Sequence, residues 1–199
     1  KWREDIQSGF ASHLSGQSEA RIVFNQAQHP TKVAHRVQRE RDDAQISLCM
    51  IVRDEERVLA DCLASATPYF CQVVVIDTGS TDRTIEVAKQ FGAEVHEMPW
   101  PDSFAEARNE SLKHAEGKWI FWLDADDTMP PATGHAILHA ARNAREDVGA
   151  FVVPVQFVDQ GPNAGTRVDH VKLLRNHPKL RFEGRIHEQV LGAVRELGW

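Results

Sequence analysis

Three apolar runs of strand length, each emptying into polar residues, constrain the fold of this chain more than any other feature. Ile46-Ser47-Leu48-Cys49-Met50-Ile51-Val52 leads into Arg53-Asp54-Glu55. Val73-Val74-Val75-Ile76 leads into Asp77-Thr78-Gly79, and Lys118-Trp119-Ile120-Phe121-Trp122-Leu123 leads into Asp124-Ala125-Asp126. Such runs mark strands buried on both faces, as in a parallel sheet covered by helices. Helical patterns separate them. Residues 54–66 place Val58, Leu59, Cys62 and Leu63 on one face and stop before Pro68; residues 84–91 are stopped by Gly92. Ser103-Phe104-Ala105-Glu106 reads as a capping box opening a helix that ends near Gly117, and residues 130–145 read as another helix. Residues 93–98, 150–157 and 170–174 read as further strands, the last two joined by a loop with Gly161-Pro162-Asn163 and Gly165. Residues 180–190 carry a mixed turn and strand pattern.

Strands alternating with helices imply right-handed crossovers, hence an α/β fold with a Rossmann-like, mostly parallel sheet flanked by helices. Ligands of such sheets bind beyond the carboxyl ends of the strands, so the three polar sets are predicted to line one site. Carboxylates gathered at one sheet edge repel each other unless a cation or a donor-rich ligand lies between them. The composition agrees with that chemistry. A formal net charge of -6 repels nucleic acid and anionic membranes and suits recruitment of a divalent cation to hold an anionic ligand.

The 199 residues fit one domain with a short extension. Residues 1–45 are rich in Gln, His, Arg and Ser and read as an extension, in part helical, with the charge-dense stretch 36–43 as a linker. Residues 46–199 form the predicted domain. No stretch reaches transmembrane length, and the N-terminus lacks the apolar core of a signal peptide. Cys49, Cys62 and Cys71 form no CxxC pair and read as reduced core residues of a cytoplasmic protein, without a zinc site. The absent Met and the stop at Leu197-Gly198-Trp199 suggest a piece of a longer chain, truncated on its C-terminal side.

Five blocks in order carry a resemblance. Met50-Ile51-Val52-Arg53-Asp54-Glu55-Glu56, Val75-Ile76-Asp77-Thr78-Gly79-Ser80-Thr81-Asp82, Ala107-Arg108-Asn109 and Trp122-Leu123-Asp124-Ala125-Asp126-Asp127 resemble the signatures of family 2 glycosyltransferases, which have the GT-A fold. Phe182-Glu183-Gly184-Arg185-Ile186-His187-Glu188 resembles a block of one bacterial branch of that family. The likeness covers roughly residues 46–199. Two departures stand out. Relatives commonly carry an aromatic residue and Asn where this chain has Arg53 and Asp54, and many carry a second Asp where it has Thr78.

The resemblance implies transfer of a sugar, with inversion, from a nucleotide-sugar donor (a UDP-sugar foremost) to an acceptor hydroxyl on a glycan, protein or lipid-linked molecule. Asp124 and Asp126 suit Mn2+ or Mg2+, because hard carboxylate oxygens match those ions, and the cation would neutralise the departing nucleoside diphosphate. Val52, Arg53, Asp54, Glu55, Asp77, Arg108, Asp124 and Ala125 are the expected donor contacts. Asp77 would bind base or ribose, whereas Asp82 reads as a helix-terminal acid. Glu188 or an acidic residue near it is the candidate general base, and His187 a metal ligand or diphosphate contact. Asp126 would also serve catalysis through the cation. Arg175, Arg181 and Arg185 read chiefly as surface charges, and Trp100, between Pro99 and Pro101, is a candidate for stacking on a sugar face.

Two other functions use similar chemistry. A nucleotidyltransferase would carry a glycine- and arginine-rich loop after its first strand, and Arg53-Asp54-Glu55-Glu56 has no such glycines. A non-catalytic nucleotide-sugar-binding module would have lost the acidic motif, which is present here.

Overall fold

The computed structural model describes residues 30–157 and 165–199. Gly161-Pro162-Asn163, read as part of a loop, and residues 1–29 of the expected extension lie outside them. In chain order the elements are α1 (Pro30–Ala44), β1 (Ile46–Val52), α2 (Leu59–Ala66), a 3-10 turn (Thr67–Tyr69), β2 (Gln72–Asp77), α3 (Thr84–Gln90), β3 (Glu94–Glu97), α4 (Phe104–Lys113), β4 (Trp119–Trp122), α5 (Pro131–Asn143), β5 (Ala150–Gln156), β6 (Arg167–Arg175) and α6 (Leu191–Glu196).

One six-stranded sheet runs in the order β3-β2-β1-β4-β6-β5. β1 pairs in parallel with β2 and β4, and β2 with β3. β6 returns antiparallel beside β4, and β5 pairs antiparallel with β6. Pro154 sits in β5, the edge strand, where its missing N–H costs no ladder bond on the outer side.

Every residue of β1 is buried, as the continuous apolar run requires. Its residues alternate between two cores. Ile46, Leu48, Met50 and Val52 pack on the side of α1, α2, α3 and α5, whereas Cys49 and Ile51 face α4 and α6. The sheet is therefore covered on both faces, and polar ligands are confined to the strand ends.

Several boundaries differ from expectation. The stretch 36–43, read as a linker, belongs to helix α1, and Ala44 at its end is 2% exposed in the core. The helix expected over 54–66 starts only at Leu59. Its first residues are held elsewhere: Glu55 N–H donates to Thr84 Oγ1 (2.7 Å) and Glu56 N–H to Asp82 Oδ2 (3.2 Å), so they tie the β1–α2 loop to the β2–α3 loop. Cys49 and Cys62 are buried, but Cys71 is exposed beside the 3-10 turn, which corrects its reading as core. Residues 182–190 fold back through a single bridge between Glu183 and Gln189, and α6 follows. Phe182, Val190, Ala193 and Val194 are buried there, so this segment closes the α4 face.

Candidate active site

Register brings the three polar sets to one edge. Val52 lies beside Asp77, and Thr78 N–H and Oγ1 both donate to Val52 O, at 3.0 and 3.1 Å. Leu123 N–H donates to Cys49 O (3.3 Å), so the acidic turn leaves the sheet next to the β1 loop. Thr78, where relatives carry an acid, is 2% exposed and spends its hydroxyl closing the strand end.

Asp54 has φ +54°, in the left-handed region where Asn and Asp are the favoured non-glycine residues. That requirement accounts for either residue at this position. Its Oδ1 accepts from Thr81 N–H (2.7 Å) and Thr81 Oγ1 (3.2 Å). Asp77 is 1% exposed, and its Oδ1 accepts from Gly79 and Ser80 N–H, both at 2.9 Å, while Oδ2 accepts from Ser80 Oγ. Gly79, at φ +102°, makes that tight wrap possible. Asp77 therefore shapes its own loop from within. Asp82 accepts from Thr84 N–H (2.9 Å) and Thr84 Oγ1 (2.5 Å), as expected of an acid at a helix start. Arg53 is half-buried and Glu55 buried at the same edge.

Arg108 joins the remaining parts. It projects from α4 and is 6% exposed. Its Nη2 donates to Asp124 Oδ1 at 2.8 Å and its Nε to Glu188 Oε1 at 2.5 Å. One guanidinium thus connects the acidic turn to the C-terminal block, using the planar fork that distinguishes Arg from Lys. The next residue completes the clamp: Asn109 Nδ2 donates to Phe182 O (2.9 Å), and its Oδ1 accepts from Phe182 N–H (2.7 Å). Ser103 caps α4 by accepting from Glu106 N–H at 3.2 Å, the forward half of the predicted capping box.

A second cation, outside every sequence block, lies at the acidic turn. Lys172 of β6 is 2% exposed, and its Nζ lies 3.0 Å from Asp127 Oδ2 and 3.7 Å from Asp124 Oδ2. Both cations lie against Trp122, Arg108 Cζ at 4.2 Å and Lys172 Nζ at 4.0 Å from the ring centroid. The signal was a lysine inside the strand pattern His170-Val171-Lys172-Leu173-Leu174, where a buried charge demands a partner.

Burial pushes the Asp124 carboxyl up, but the Arg108 and Lys172 cations outweigh it and hold the pKa at about 2. Burial, with Lys172 next, pushes His170 below its ordinary value. Cys62 lies beneath the turn, its Sγ 3.4 Å from Asp124 O; burial and the Asp127, Asp124 and Asp126 carboxylates raise it to about 12, so the thiol is inert. Asp126 is exposed, Asp124 half-exposed and Ala125 buried. His187 is exposed at φ +57°, immediately before Glu188. Of the arginines expected at the surface, Arg181 pairs there with Glu183 and Glu196 and Arg185 with Asp102, whereas Arg175 is half-buried over Trp119 and donates to Val148 O and Arg145 O. Trp100 packs edge-on against Phe104, ring centroids 4.9 Å apart.

Lys172→Met is expected to leave Asp127 without its cation. Unfolding in urea should show a loss of about 1.5–3 kcal/mol, the range for a hydrogen bond to a charged group. A loss under about 0.5 kcal/mol would show that Lys172 does not hold the turn.

Comparison with known proteins adds to this geometry. The model of Glycosyl transferase family 2 matches residues 47–192. A TPR repeat-containing protein of Synechococcus elongatus is 39% identical over 152 residues, which are 74% of this chain and 36% of that protein. The SPbeta prophage-derived glycosyltransferase SunS of Bacillus subtilis is 28% identical over 153 residues, 75% of this chain and 36% of its own. The chain thus spans 36% of the length of these two relatives. Among solved structures, glucosyl-3-phosphoglycerate synthase from Mycobacterium tuberculosis, in complex with Mn2+, UDP and glucosyl-3-phosphoglycerate, aligns with a TM-score of 0.48 at 19% identity, over 63% of this chain and 49% of that one.

Proposed function

The chain belongs to glycosyl transferase family 2, and from that premise we propose that it moves a sugar from a nucleotide-sugar donor, UDP-sugars foremost, to an acceptor hydroxyl with inversion at the anomeric carbon. The observation that carries this reading is the Arg108 fork, which joins Asp124 to Glu188 across 16 and 80 residues of sequence. A candidate metal turn and a candidate base held by one guanidinium support a single in-line displacement.

The donor set fits a divalent cation. Asp126 is exposed and Asp124 half-exposed on one turn, and both carry hard carboxylate oxygens; Arg108 and Lys172 already hold Asp124 in place, and Lys172 holds Asp127 as well. Asp124 and Asp126 would hold Mn2+ or Mg2+, with His187 as a further candidate ligand. That ion would supply charge neutralisation to the departing nucleoside diphosphate. Arg53, Asp54, Glu55, Asp77, Val52 and Ala125 would shape the nucleotide end of the cleft. Arg53 offers a flat cation for the base or the phosphates, where relatives have an aromatic ring.

Glu188 would act as general base. Arg108 holds its Oε1, which leaves Oε2 to take the proton of the acceptor hydroxyl. As that proton leaves, the acceptor oxygen bonds to the anomeric carbon, and the bond from that carbon to the diphosphate oxygen breaks with its electron pair. Arg108 would keep Glu188 and Asp124 in fixed relation throughout. The acceptor is a hydroxyl of a glycan, protein or lipid-linked molecule. The free Cys49, Cys62 and Cys71 support a cytoplasmic setting, and among the described residues no helix is long and apolar enough to cross a membrane.

Glu188→Gln tests the reading. It keeps an oxygen for Arg108 but cannot accept a proton. Donor binding by calorimetry should stay within about 3-fold of the parent, while turnover of UDP-sugars, followed as UDP release, falls about 10²–10⁴-fold. Unchanged turnover would remove Glu188 as the base. A parent chain that binds UDP-sugars but never turns them over would favour a binding module.

A further inference from the structure

A second cluster of ligating side chains lies away from the acidic turn, at the sheet edge. Glu94 and His96 are two residues apart on β3 and share one face. His114 is the C-cap residue of α4. We propose that Glu94, His96 and His114 form a site for a zinc-class divalent cation, which ties edge strand β3 to the end of α4.

The geometry supports this in three ways. The ligand atoms of all three residues lie within 4.8 Å of one another. Donors around a zinc ion stand roughly 3–3.5 Å apart, given metal–ligand bonds of about 2.0–2.2 Å, so closure asks for about an ångström of side-chain rotation. The two imidazoles are 31% and 29% exposed and have room to turn.

The rings also lie face to face, centroids 3.6 Å apart and planes 15° from parallel. A carboxylate flanks each one: Glu94 Oε1 is 2.9 Å from His96 Nε2, and Glu110 Oε1 is 3.5 Å from His114 Nε2. The stack brings nitrogens of both rings and the Glu94 carboxylate close to one another, within reach of a shared cation after a small side-chain rotation.

The third support is the outer frame. Gln72 Nε2 donates to Glu94 Oε2 (3.1 Å) and to His114 O (2.9 Å). Its Oε1 accepts from Ser47 Oγ (2.6 Å) and Glu116 N–H (2.9 Å). One amide of β2 thus orients a ligand carboxylate and fixes the backbone of a ligand histidine, the kind of hydrogen-bonded support that metal ligands use.

Two ring nitrogens and one carboxylate select zinc, nickel or copper over magnesium and calcium, which prefer all-oxygen sets. The site is therefore chemically distinct from the acidic turn. It is also displaced from it: His114 follows Arg108 by six residues, about 9 Å along the helix axis. Its effect would be structural. α4 carries Arg108 and Asn109, and β3 is a four-residue edge strand that, among the described residues, pairs with β2 alone. The site stands independently of the sugar-transfer reading.

Titration of ZnCl2 into the chelator-treated chain, read by calorimetry in the presence of excess Mg2+, tests the site. The parent should bind one more equivalent of zinc than His96→Gln/His114→Gln, and zinc should raise the thermal midpoint of the parent alone. Glu94→Gln, which leaves both histidines in place, should weaken that equivalent at least about 10-fold. Equal zinc stoichiometry in parent and double variant, or loss of the extra equivalent to Mg2+ competition, would overturn the proposal. Circular dichroism of the half-exposed His96 and His114 variants confirms that they remain folded, and the Glu94 variant decides the matter should they not.

Discussion

Arg108→Ala is expected to unfold in urea with a stability lower by about 3 kcal/mol, and to lose donor turnover altogether. Arg108 is 6% exposed and satisfies two carboxylates at once. Removing one member of a buried ion pair typically costs about 3–5 kcal/mol, because the surviving charge is left uncompensated. The lower end applies here, since the Asp124 side chain is 45% exposed and water can reach it. Trp122 and Phe182 also lose the cation at 4.2 and 5.9 Å from their ring centroids.

The pH dependence separates this account from simple loss of packing. Asp124 titrates at about 2 in the folded chain, below its ordinary 3.8, because Arg108 and Lys172 overcome its burial. A depressed carboxylate stabilises the fold above its unfolded value, and that contribution fades as pH falls from 3.8 toward 2. The parent should therefore show a component of acid lability in that window. In Arg108→Ala most of it should be missing, with Lys172 alone still holding Asp124. An Arg108→Ala chain as stable as the parent, with the same acid profile, would show that the fork does not organise the site.

Much of this arrangement is legible in the sequence because strand burial leaves a plain mark. The seven residues of β1, six of them apolar, and the run into Asp124 mark interior strands, and interior parallel strands send their following residues to one edge. The register of Val52 beside Asp77 follows from that rule. The capping of α4 by Ser103 is likewise written in the local sequence.

Other features depend on contacts between distant segments. The pattern of residues 54–66 is helical throughout, yet Asp54, Glu55 and Glu56 are drawn off by Thr81, Thr84 and Asp82, and tertiary hydrogen bonds override the propensity. Asp77 reads as a ligand contact by position, but its oxygens hold Gly79 and Ser80, which only the folded loop reveals. Lys172 shows in the sequence only as a lysine in a strand pattern, because its partner Asp127 lies 45 residues away on another strand end. Asn109 reads simply as a neighbour of Arg108, although it pairs both ways with the backbone of Phe182 and so places the His187-Glu188 block.

The central claim is that carboxylates of the Asp124-Ala125-Asp126 turn bind a donor diphosphate through a divalent cation. Asp126 is the most direct probe, being exposed and outside the Arg108 fork. Calorimetric titration of UDP-glucose into the chain, with and without Mn2+, measures the claim directly. Mn2+ should tighten binding by about 100-fold in the parent and by less than about 3-fold in Asp126→Ala, a loss of at least about 2 kcal/mol of metal-mediated attraction. Donor binding of equal strength with and without Mn2+, unchanged in Asp126→Ala, would contradict it.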